Sequence, residues 1–235
     1  MQNVLMNDLL ARQTVWRGGA PKAAAEAAVP TGFAMLDAEL PGGGWPAGGL
    51  AEVFCGCEGI GELQVVLPAL AALTASGKRV AWLAPPHLPY APALRAAGVQ
   101  LDQLTVVRAP GRRDALWAAE QALRSGAFHA LLAWLPGPGY AELRRLAVAA
   151  QASPGFALVF RPLEAMGESS PAMLQLAIET PQAPESPLAL RILKRRGAPL
   201  AGLVALPIER PVRVVGRPPF PAVAAAGDRA RACVA

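Results

Sequence analysis

Three cysteines, two histidines and two tyrosines are all that 235 residues hold of those types, and aromatic residues together make up only 6%. Each shortage argues something away. Cys55, Cys57 and Cys233 are odd in number, which speaks against a disulfide framework, and Cys-x-Cys with no second pair and no histidine cluster is a poor metal site. The pair reads as small buried apolar residues, and neither metal nor cofactor is expected. No apolar run approaches the ~20 residues of a spanning helix, since Leu63–Leu73 is broken by Gln64 and Pro68. The start, Met1–Asp8, has neither a basic region nor an apolar stretch behind it, so the expected location is the cytoplasm, away from membranes.

What is abundant is Ala, Leu and Val. An apolar content of 53% over this length suffices for one α/β domain with a full core. The net charge of +5 is unevenly spread: from Arg191 to Ala235 nine Lys and Arg face only Glu209 and Asp228. Such a basic end is either an electrostatic footprint for nucleic acid or solvated charge on a flexible tail. Phe220 is its one aromatic, which disfavours base stacking and leaves at most a weak DNA contact.

The chain alternates strands and helices. Apolar strands are expected at Leu50–Cys55, Arg79–Ala84, Leu104–Arg108, His129–Trp134 and Phe156–Phe160. Helices are expected at Leu63–Ala75, Ala91–Ala97, from an Asp114 cap to Gly126, and at Tyr140–Ser153. Wholly apolar strands alternating with helices imply a parallel sheet covered on both faces. Leu174–Glu179, Leu188–Leu193 and Gly202–Pro207 read as antiparallel edge strands. The expected organisation is an N-terminal arm over 1–29 with Trp16 as its docking point, a core over 30–207, and a Pro-rich basic tail over 208–235. Trp16 and Trp45 are residues of the type that anchor protein interfaces.

One segment has the outline of a phosphate-binding loop without its chemistry. Such a loop reads G-x-x-x-x-G-K-[ST] after a strand: backbone N–H groups cradle the phosphates, the Lys reaches the β- and γ-phosphates, and the hydroxyl holds Mg²⁺. Here Gly56, Gly59 and Gly61 supply the glycines, but Glu62 stands at the lysine position and Leu63 at the hydroxyl position. A carboxylate beside a triphosphate repels it. The alternative is a glycine-rich strand-to-helix turn that never held a nucleotide.

The order Thr31-Gly32, Leu36-Asp37, Leu40, Gly43-Gly44, Pro46, Gly48-Gly49, Glu52 ahead of that loop resembles the RecA ATPase core, and the likeness runs over roughly residues 30–205. Within RecA-like proteins the segments Val29–Pro46, Gly59–Leu63 and Leu193–Pro199 resemble ImuA, the SulA-like family associated with mutagenic translesion synthesis. The resemblance implies a RecA-like P-loop NTPase fold: a mostly parallel twisted sheet with helices on both faces, antiparallel edge strands, and a degenerate nucleotide site. By it, the Walker B aspartate-serine falls at Trp134-Leu135, the catalytic glutamate at Pro86, and the γ-phosphate sensor at Arg161-Pro162. None of these residues can replace a metal ligand, base or sensor of phosphoryl transfer, so no catalytic residue is expected. The resemblance further implies a pseudo-ATPase adaptor whose partners are an ImuB-type polymerase homologue, an error-prone replicative-type polymerase and RecA. Lys194, Arg195 and Arg196 match a cationic pair that RecA presents across its subunit interface; they are candidate partner contacts or a solvated basic hairpin. A SulA-like cell-division inhibitor and a DNA-stimulated ATPase with a non-standard site are the alternatives.

Overall fold

A computed structural model describes residues 28–57, 59–135, 137–179, 187–195 and 202–208. Trp16, Arg196, most of the expected arm and nearly all of the expected tail lie outside them. The main sheet has eight strands: β3 (Leu50–Cys55), β4 (Val80–Leu83), β5 (Leu104–Val107), β6 (Ala130–Trp134), β7 (Phe156–Pro162), β8 (Leu174–Ile178), β9 (Leu188–Lys194) and β10 (Leu203–Leu206). Their spatial order is β10-β9-β8-β3-β7-β6-β4-β5. All pairings from β8 to β5 are parallel, and β8–β9–β10 is antiparallel.

Alternation along each strand splits the core in two. Val53, Val80, Trp82, Leu132 and Leu158 face α2 (Leu67–Ala75) and α3 (Ala91–Ala96), whose Leu70 and Leu94 complete that layer. Leu50, Ala81, Leu83, Leu131 and Val159 face α4 (Arg112–Arg124) and α5 (Tyr140–Ala150), meeting Ala119, Leu123, Leu143 and Leu146. Burying each Leu or Val contributes about 1.5–3 kcal/mol, and strands buried on both faces explain the continuous apolar runs in the sequence.

The expected core from residue 30 has structure of its own ahead of β3, and Ala28 and Val29 of the expected arm join it. β1 (Ala28–Val29) pairs with β2 (Trp45–Pro46) in an antiparallel ribbon. Between them α1 (Ala34–Asp37) buries Leu36, and the Asp37 carboxylate accepts the Thr31 N–H at 2.8 Å. A side chain at Gly44 would stand 2.1 Å from the Val29 carbonyl oxygen, so only glycine admits this approach. Trp45, expected as an interface anchor, is instead fully buried and stacked on Phe156 with centroids 5.5 Å apart.

Three local expectations are corrected. β8 is not an antiparallel edge strand: the connection 163–173 carries the chain back along the sheet, the Met173 N–H bonds the Leu50 carbonyl, and β8 lies parallel to β3. α2 begins at Leu67, because Glu62–Val66 forms turns and Pro68 is admitted only in a first helical turn. Asp114 sits within the first turn of α4, whose cap is Gly111. No helix among the described residues is long and apolar enough to cross a membrane.

Candidate functional site

β3 leads into the glycine loop, and the loop turns back on itself. The Glu62 carboxylate accepts hydrogen bonds from the N–H of Gly59 and of Gly61, each at 3.2 Å. Both glycines hold positive φ, 75° and 113°, the region that lets successive amides converge on one anion. Those amides are therefore occupied by the protein's own carboxylate, which is only 9% exposed. Ile60 enters the core and Leu63 packs against it, so the turn is anchored by apolar contacts on both sides of the carboxylate. Burial first, then the Glu62 charge and Cys57, push the Cys55 thiol far above its ordinary range. That agrees with an inert, partly buried residue.

The carboxyl ends of β4, β6 and β7 carry an aromatic cluster. Trp134 stacks on Phe160 with centroids 4.7 Å apart and meets Trp82 at 5.7 Å. Leu135 is buried. Trp134 packs against the same core layer as Ile60 and Leu63, so the loop and the expected metal-ligand position belong to one apolar assembly. Pro86 is exposed in the loop after β4. The residue two before it, Ala84, takes a left-handed φ of 47°, a conformation seldom held by a non-glycine residue.

Arg161 is not brought to this assembly. It follows Phe160 in β7 and so points to the opposite face of the sheet. There its guanidinium donates to Glu52 Oε1 at 2.9 Å, to Glu168 Oε2 at 2.6 Å and to the Pro138 carbonyl at 3.4 Å, and it lies over the Phe54 ring. The other Glu52 oxygen accepts from Gln175 Nε2 at 2.7 Å. Sequence reading placed Arg161 at a sensor position and missed this network, whose signal was a charged residue in each of two otherwise apolar strands.

The candidate partner contacts diverge. Lys194, exposed at the end of β9, donates from Nζ to the Ser170 carbonyl at 2.9 Å. Arg195 turns toward the segment after α1 and donates to the Glu39 backbone carbonyl, with the Glu39 carboxylate at 3.4 Å. Among the described residues no group of three or more His, Cys, Asp or Glu is arranged to hold a metal ion.

Comparison with known proteins places these elements in context. Residues 51–157 match the family model "Cell division inhibitor SulA". The cell division inhibitor SulA of Edwardsiella piscicida is 36% identical over 97 residues, 41% of this chain and 58% of that protein. Protein RecA of Cutibacterium acnes is 33% identical over 119 residues, 51% of this chain and 34% of that protein. The crystal structure of SulA from Pseudomonas aeruginosa aligns with 26% identity and a TM-score of 0.42, over 50% of this chain and 99% of that one. This chain thus spans 58% and 34% of the two curated relatives' lengths. It contains a SulA-like domain, a mixed α/β unit with a large, mostly parallel sheet flanked by helices.

Proposed function

We propose that this chain is a non-catalytic, RecA-like adaptor of damage-induced mutagenic translesion synthesis, of the ImuA kind. It acts by binding an ImuB-type polymerase homologue, an error-prone replicative-type polymerase and RecA, and it transfers no phosphoryl group itself. The observation that carries the reading is the Glu62 carboxylate on the amides of Gly59 and Gly61. Two loop amides that already hold the protein's own anion are taken from any phosphate, and an anion brought beside that carboxylate is repelled. By the RecA resemblance Trp134 stands at the position of a metal-binding carboxylate, and its stacking on Phe160 supports the loss of that second requirement of phosphoryl transfer. A stable fold without those groups leaves surface recognition as its task.

The test is in two parts. Calorimetric titration with Mg²⁺-ATP should give no binding heat, and turnover with and without single-stranded DNA should stay at background. Purified protein should then form complexes with the polymerase partners or RecA. ATP turnover abolished by Trp134→Ala, or no complex with any of these proteins, would refute the reading.

A second reading is a SulA-like inhibitor of cell division, favoured by the family match across residues 51–157. Suppression of polymerisation of the tubulin-like division protein by stoichiometric amounts of this chain would support it over the adaptor.

A further inference from the structure

The outward face of α4 is charged and aromatic in a way that packing does not require. Ala115, Ala119 and Leu123 turn inward, while Arg113, Trp117 and Arg124 lie on the opposite side at helical spacing. Trp117 is 63% exposed, although a tryptophan on a solvated helix face gains nothing for folding. Neighbouring α5 adds Val148, 52% exposed, and Arg145, whose guanidinium reaches across to Glu120. Arg124 binds the other oxygen of the same carboxylate at 2.7 Å, so the two helices are joined beneath this face.

The charge balance selects the occupant. Arg112, Arg113, Arg124, Arg144 and Arg145 on the two helices face Asp114, Glu120 and Glu142, and Glu120 and Glu142 are already held by arginines. Arg113 and Arg144 have no ion-pair partner among the described residues. The chain's own ends do not complement an arginine-rich face: residues 1–27 carry Arg12, Arg17 and Lys22 against Asp8 and Glu26, and residues 209–235 are more basic still. A second copy docking by the same face would set arginine against arginine. Nucleic acid draws its affinity from many neutralised phosphates and several stacking rings, and one tryptophan with so small a cationic excess falls short of that.

We propose that the α4–α5 face docks an acidic segment of another protein, with an apolar side chain of that segment seated on Trp117 and a carboxylate on Arg113, the arginine of α4 that no acidic side chain among the described residues holds. Tryptophan and arginine are the side chains that most often dominate such contacts. The proposal deepens the adaptor reading and rests on it for the existence of a partner. It names the chemistry by which that partner is recognised.

The experiment uses the full chain and a short fluorescein-labelled peptide of Asp and Glu carrying two phenylalanines. Controls are its Lys-substituted counterpart and a labelled thymidine oligonucleotide. Saturable binding of the acidic peptide should weaken about tenfold or more in Trp117→Ser and in Arg113→Glu, with melting temperatures unchanged because both side chains are exposed. Absence of acidic-peptide binding, equal binding by the variants, or preference for the oligonucleotide overturns the proposal. So does a dimer that dissociates on Trp117→Ser. The same variants are titrated with the polymerase partners and RecA: undiminished binding there overturns this face and spares the adaptor reading, whereas no binding even by the unaltered chain overturns both.

Discussion

Arg161 and Glu52 lie 2.9 Å apart with both side chains fully buried, one near the end of β7 and the other in the middle of β3. Two charges taken from water this completely are tolerated only because each has further partners: Gln175 for Glu52, and Glu168 with the Pro138 carbonyl for Arg161. The network fixes the register of β3 between β7 and β8, the strand pairs that position the glycine loop.

Removing one member should therefore cost more than removing both. Arg161→Leu leaves Glu52 as an uncompensated buried charge and should destabilise the fold by about 3–5 kcal/mol. The double variant Glu52→Leu with Arg161→Leu should be less destabilised than Arg161→Leu alone. Urea unfolding of the three proteins measures this, and a double variant at least as unstable as the single would show that packing, rather than charge pairing, sets the cost.

The sequence carried the alternation of strands and helices well, because strands covered on both faces must be apolar throughout and helix ends need particular residues. Gly77 follows α2 with φ 73°, the left-handed conformation that glycine takes at least cost after a helix end. Long-range pairing was not legible. Glu52 and Arg161 are separated by 109 positions, and no local pattern announces that they meet. Nor did a carboxylate at the lysine position say where it would point. The repulsion of a nucleotide follows from the Glu62 charge alone, and the backbone geometry adds that the carboxylate folds back onto the Gly59 and Gly61 amides of its own loop.

That geometry gives a prediction for the loop. Glu62→Ala should free the amides of Gly59 and Gly61 and speed their hydrogen exchange, and added phosphate should restore part of the protection because the left-handed glycines still converge on one point. Exchange unaffected by the substitution would mean the carboxylate does not hold the loop in solution. Glu62→Lys combined with Leu63→Thr should still hydrolyse no ATP, since Trp134 remains stacked on Phe160 and supplies no metal ligand; measurable turnover would contradict this.

Acid should destabilise the domain through at least two groups. The Gly139 N–H, with help from Arg112, holds the Glu142 carboxyl below its ordinary range at the start of α5. A carboxylate depressed in the folded state contributes stability that is present above its unfolded pKa and lost as pH falls through the folded one. Burial, and then Lys78, lower His129. Its neutral form is favoured on folding, so its contribution too is present above the unfolded pKa, near 6.5, and declines as pH falls below it. Melting temperature should accordingly drop from pH 7 toward pH 4, and the combined variant Glu142→Gln with His129→Asn should flatten that dependence. An unaltered slope would assign acid sensitivity elsewhere.

Lys194 and Arg195 should separate in effect although they are adjacent. Arg195 donates to the Glu39 carbonyl and lies near its carboxylate, with a side chain only 17% exposed, and so ties the end of β9 to the segment after α1. Arg195→Ala should cost about 1.5–3 kcal/mol of stability, the range for hydrogen bonds to charged groups. Lys194 reaches one exposed carbonyl, and Lys194→Ala should leave stability within about 0.5 kcal/mol, as surface substitutions commonly do. If this end of β9 is also a partner contact, Lys194→Ala should weaken binding to RecA or a polymerase partner more at low salt than at high salt, because an exposed charge acts mainly through screened attraction on association. Titration at two ionic strengths, beside the melting curves, decides the matter: affinity unchanged at both would return Lys194 to a solvated strand end and leave Arg195 with a structural role.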